Sequence, residues 1–148
     1  MVALRLAAGI ALLAAAQAAV ARMPGDNLFI AGDGFSIEQA VADVAAQRTA
    51  GDPPARILVI GAEAKRLKKG EASYTVRDSV AAARRGGAVF YICGKDMRAS
   101  GLAAKDLIPG VRAVRGWSET TAAQSGSDKS GEQYPLAPGR RMRSLCAE

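Results

Sequence analysis

Histidine is absent from the 148 residues. That removes the commonest general base, the Ser-His-Asp and Cys-His nucleophile pairs, and most zinc sites. Cysteine is nearly absent, with only Cys93 and Cys146 available for sulfur chemistry. Three Phe, three Tyr and one Trp are too few to interleave with basic residues as base-stacking platforms. The net charge of +6 is scattered rather than striped. It falls on Lys65, Arg66, Lys68 and Lys69 in one loop, on Arg84 and Arg85, and on Arg140, Arg141 and Arg143 near the C-terminus. This pattern reads as a solvated basic surface, and no nucleic-acid partner is expected.

One apolar run opens the chain. Arg5 precedes an uncharged Ala/Leu-rich stretch from Leu6 to Val20, and Ala19-Val20-Ala21 offers small residues before Arg22. These are the parts of a secretory signal peptide over residues 1–21. The stretch is shorter than the ~20 residues of a spanning helix, so no stable membrane anchor is expected after cleavage. The mature chain would then be exported, to the periplasm or beyond, where disulfides can form. Its length suits one domain, read as residues 22–124 followed by a flexible tail over 125–148.

Apolar runs at Asn27–Ala31, Arg56–Gly61, Ala88–Cys93 and Val111–Val114 read as strands, the second and third buried on both faces. Ser36 with Gln39 three residues on makes a capping box. Behind it Ile37, Ala40, Val41 and Val44 recur at helical spacing through Gln47. Gly51-Asp52-Pro53-Pro54 stops that helix. A charged loop spans Lys65 to Ser73, and Thr75 is expected to cap a second helix that closes at Gly86-Gly87. Met97 to Leu107 reads as a short, broken helical region, and Ser118 to Gln124 as one more helix. From Ser125 the composition turns to Gly, Ser, Lys and Glu, with an edge strand expected near Tyr134. Strands alternating with crossovers long enough for helices predict an α/β domain with a mainly parallel sheet. Ligands in such sheets gather beyond the carboxyl ends of the strands.

Two nucleotide signatures fail. Gly32-Asp33-Gly34 begins like a dinucleotide fingerprint, but position 37 is Ile. Gly94-Lys95 resembles the end of a phosphate loop, yet Val89 stands where the first Gly belongs and Asp96 where a magnesium-binding hydroxyl belongs. Cys93 is the chemical candidate that remains. It ends a buried strand beside Gly94, with Lys95 and Arg98 close enough in sequence to favour a thiolate. The same residue also fits as a small apolar core side chain. Cys146 is open to three readings: resolving an oxidised Cys93, pairing with another chain, or doing nothing.

The segment Gly86 to Gly116 resembles the DsrE/DsrF-like family. It has a hydrophobic strand ending in Cys93, a short helical segment with Gly101 inside it, the turn Asp106-Leu107-Ile108-Pro109-Gly110, and a strand ending at Gly116. Arg56 to Leu67 is similar to that family's preceding strand and loop. Where many relatives place a His after the second strand, this chain has Ile60-Gly61. The resemblance implies a small flavodoxin-like, three-layer α/β domain assembled into trimers or hexamers. It also implies that Cys93 accepts sulfane sulfur as a persulfide and passes it to a partner protein, with no metal or organic cofactor. The alternatives are an exported binding or assembly module in which Cys93 is structural, and thiol redox exchange through a Cys93–Cys146 disulfide. A core resting on Ala, Val, Ile and Leu buries little area per residue, which also favours a homo-oligomer with Cys93 near a subunit boundary.

Overall fold

Alternation along four short strands decides how the layers form. The computed structural model describes residues 27–117 and 134–148; the leader expected over 1–21 and the helix expected over Ser118 to Gln124 lie outside them. Strands β1 (Leu28–Ala31), β2 (Arg56–Val59), β3 (Val89–Cys93) and β4 (Val111–Val114) pair in parallel in the order β1-β2-β3-β4. Helices are α1 (Ile37–Gln47), α2 (Tyr74–Arg85), α3 (Gly94–Ala99) and α4 (Arg140–Leu145), with 3-10 turns over Gly61–Leu67 and Ala104–Asp106. The expected α/β class with a parallel sheet is observed.

Successive strand side chains point to opposite faces. Phe29, Ala31, Ile57, Val59, Phe90 and Ile92 share one buried cluster with Ile37, Ala40 and Val44 of α1, Val76, Val80 and Ala83 of α2, and Met97 of α3. The intervening residues Leu28, Leu58, Tyr91, Cys93 and Val114 form a second cluster with Ala137, Met142 and Cys146. Strand order without a reversal explains this division. Right-handed crossovers between neighbours taken in sequence lay the crossover helices α1, α2 and α3 on the same side. Among the described residues, the other side is covered by the C-terminal segment, which supplies the third layer.

The 125–148 stretch, expected to be a flexible tail, is therefore packed over residues 134–148. Leu136 pairs with Arg115 in a single parallel bridge, close to the edge strand expected near Tyr134. Ala137, Met142 and Cys146 are each about as buried as the strand residues they meet. The charged composition concealed this, because only one face of the short helix α4 has to be apolar.

Helix starts follow the expected chemistry, with one shift. Ser36 Oγ accepts from Gln39 N at 3.1 Å, and Gln39 Oε1 accepts from Ser36 N at 2.8 Å, completing the capping box. In α2 the capping hydroxyl is Ser73, accepting from Val76 N at 3.2 Å, two residues before the expected Thr75. The charged loop expected from Lys65 begins inside the 3-10 turns. Its Arg66 bridges Glu38 of α1 and Glu63.

That bridge carries a pH-dependent contribution. The Arg66 guanidinium, by its hydrogen bond, holds the Glu38 carboxyl below its ordinary value of 4.5. A depressed carboxylate pKa contributes stability above the ordinary value, and that contribution is lost as pH falls through the folded value. Both side chains are partly exposed, so the effect is below about 1 kcal/mol. Urea midpoints at pH 7 and pH 3 should show a smaller acid loss in Arg66→Gln than in the native chain; equal losses would remove Glu38 from the account.

Candidate functional site

The carboxyl ends of the four strands fall into two unlike halves. At β1, the N-terminus of α1 is occupied from within. Glu63 Oε2 accepts from Ile37 N at 3.0 Å and from Arg66 Nη1 at 2.8 Å. A carboxylate of the chain thus stands where a nucleotide phosphate would meet a helix N-terminus. This supplies a physical reason, beyond the missing glycine, for setting aside the Gly32-Asp33-Gly34 nucleotide reading.

At β3 and β4 the two cysteines meet. Cys93 closes β3 and is the residue that caps α3, so that helix begins at Gly94 rather than at the expected Met97. Its side chain belongs to the face opposite α1 and α2, where Cys146 follows the last turn of α4. The two form a disulfide across a sequence separation of 53, with Cα atoms 5.1 Å apart. Both residues are buried, at 0% and 1% exposure. Cys146 is thus bonded to Cys93 of its own chain, the pairing that the first of its three readings requires.

Backbone contacts hold the C-terminal segment over this bond. Gly116 N donates to Cys146 O at 3.1 Å, Trp117 N to Arg143 O at 3.2 Å, and Ala137 N to Arg115 O at 2.8 Å. Gly116 has to be glycine for this approach. A Cβ there would stand 2.2 Å from the Cys146 carbonyl carbon and 2.3 Å from both Ala147 N and Arg143 O, all of them backbone atoms. Gly94 is similarly tight, because a Cβ would meet Cδ2 of Tyr134 at 2.9 Å. The Arg143 guanidinium lies 4.9 Å from the ring centroid of Trp117, which is half exposed at the rim.

The remaining expected site residues converge on the same end of the chain. Lys95 Nζ donates to Ala147 O at 2.9 Å, and Arg98 forms an ion pair with Glu148. Both cations therefore grip the residues that follow Cys146. Asp96 ties α3 to the end of β2, its Oδ1 accepting from Gly61 N at 3.1 Å, while its Oδ2 is buried without a hydrogen-bond partner. Sequence reasoning missed Asp96, Tyr134 and Arg143. The glycines at the strand ends were the legible signal, and they mark close backbone approach of the C-terminal segment.

Among the described residues no three His, Cys, Asp or Glu side chains gather as a metal set. No helix among them is long and apolar enough to cross a membrane. No family model matches the chain, and no curated protein matches it. The arrangement places a buried disulfide at the carboxyl end of the sheet, beside residues 147 and 148 that Lys95 and Arg98 hold. The sulfurs of a disulfide are electrophiles, and reduction would turn them into two neighbouring thiols.

Proposed function

We propose that the protein is an exported sulfur carrier of DsrE/DsrF type, with Cys93 as the acceptor and the Cys93–Cys146 disulfide as its closed state. The observation that best supports this reading is the position of Cys93 at the carboxyl end of a central parallel strand, where ligands of such sheets gather. Reduction frees Cys93. Its thiolate attacks the outer sulfur of a persulfide donor, RS–SH; a sulfur–sulfur bond forms on Cys93 and RS⁻ leaves. The outer sulfur then passes to a partner thiol. Alternatively, Cys146 attacks Sγ of Cys93, expels hydrosulfide and restores the disulfide. Assembly as a trimer or hexamer belongs to the same reading.

Reduced protein treated with polysulfide should gain about 32 Da for one sulfane sulfur, mapped to Cys93. A Cys93 that is free and reduced, yet gains no mass, would sink the proposal. The burial of both sulfurs favours a second reading, a binding or assembly module whose disulfide is structural. A Cys93→Ala protein that folds, in a host with no sulfur-related defect, would decide for it.

A further inference from the structure

The closed state limits which sulfur chemistry can start there. With both cysteines bonded, no thiolate exists to attack a sulfane donor. The bond can only receive a nucleophile, and its two sulfurs lie beneath the C-terminal segment, buried almost completely. A protein thiol needs far more room to align with a bond so enclosed than a diatomic nucleophile does. Cations stand at the same place: Lys95 bonds the carbonyl of Ala147, next in sequence to Cys146, and Arg98 pairs with Glu148.

We propose that hydrosulfide opens the Cys93–Cys146 disulfide directly, so that inorganic sulfide is a substrate of this site. The inference rests on the carrier reading and names what loads the carrier. HS⁻ attacks Sγ of Cys93; a new sulfur–sulfur bond forms there, the Cys93–Cys146 bond breaks, and Cys146 departs as a thiolate. The products are Cys93–S–SH and Cys146–S⁻. Sulfide is oxidised by two electrons to the sulfane level and the disulfide is reduced by two, so loading needs no other oxidant. After the outer sulfur has passed to an acceptor thiol, a dithiol remains. An external protein disulfide re-closes it by exchange before the next cycle. The direction of opening follows from the anchoring. Cys93 is fixed at the end of β3, which is paired on both sides, and the leaving sulfur belongs to the segment that Lys95 and Arg98 hold.

The test uses the oxidised full chain and sodium sulfide without oxygen, read by intact mass and by alkylation mapping. The expected product gains about 34 Da, one molecule of hydrogen sulfide, with the persulfide on Cys93 and a free thiol on Cys146. Glutathione at equal concentration should open the bond at least about tenfold more slowly, because it cannot enter. An unchanged mass with sulfide, a persulfide on Cys146, or opening by glutathione at the same rate would each overturn the proposal. Cys146→Ser, which has no disulfide, should gain no mass from sulfide; a sulfide adduct on this variant would also count against the proposal. Reduced wild type separates the two readings. If it accepts sulfur from polysulfide while the oxidised protein ignores sulfide, the carrier stands and sulfide loading falls. If it accepts none, the carrier reading itself falls.

Discussion

Replacing Cys146 with Ser should lower stability by about 4 kcal/mol, with a fall in the thermal midpoint of roughly 10–20 °C. The size follows from chain entropy: the bond closes a long loop, with a separation of 53 residues, and so restricts the unfolded chain strongly. The serine hydroxyl adds to the cost, since it would lie in a cluster lined by Leu58, Tyr91, Val114 and Met142. Wild type measured with excess reductant should show most of the same loss. Denaturant midpoints of the oxidised, reduced and Cys146→Ser forms compare all three directly. Equal midpoints for oxidised and reduced wild type would mean that the C-terminal layer holds without the bond.

Gly116→Val should be at least as damaging, and by a route that involves no sulfur. The added branches would enter space held by the backbone of Arg143, Cys146 and Ala147, and backbone cannot rotate aside as a side-chain tip does. The substitution forces the C-terminal layer off the sheet, so the expected result is a large excess of free thiol at Cys93 and Cys146 after oxidative refolding. Because both substitutions act on one contact, combining Gly116→Val with Cys146→Ser should cost clearly less than the two effects added. Thiol counting, together with urea midpoints of the single and double variants, checks this. Native disulfide yield in Gly116→Val would show that the segment can dock without the close approach.

The strands were legible because each is an apolar run bounded by turn residues, and α1 because Ser36 and Gln39 form a reciprocal cap. What the sequence left open is tertiary. Period-2 alternation places Cys93 and Ile92 on opposite faces of β3, but it does not say which face receives α1 and α2. That follows from the strand order, and the order is fixed by packing. The partner of Cys146 was undecidable for the same reason, since a disulfide depends on Cα proximity and residues 53 apart carry no sign of it. The C-terminal stretch misled through composition. Prolines at 135 and 138 and arginines at 140, 141 and 143 suggest an unpacked chain. Yet Arg56 Nη1 donates to Pro138 O at 2.9 Å and Arg115 Nε to Tyr134 O at 3.0 Å, so carbonyls of this stretch are bonded from the sheet. Lys95 and Arg98, singled out for their spacing from Cys93, bond Ala147 and Glu148 at the far end of the chain.

The straight strand order also separates contacts that are near in the chain from contacts that are distant. Every strand pairs with its neighbour in the chain, so the helix-backed sheet grows by successive additions, each closing a loop of moderate length. The hydrogen bond from Arg56 to Pro138 spans 82 positions and belongs to the last layer. That layer docks on Arg115, Gly116 and Trp117, which are in place only once β4 has joined. The Cys93–Cys146 bond therefore joins the sheet to the layer with the longest-range contacts, and a chain held reduced is expected to keep the sheet and its first helical layer while losing hold of the second.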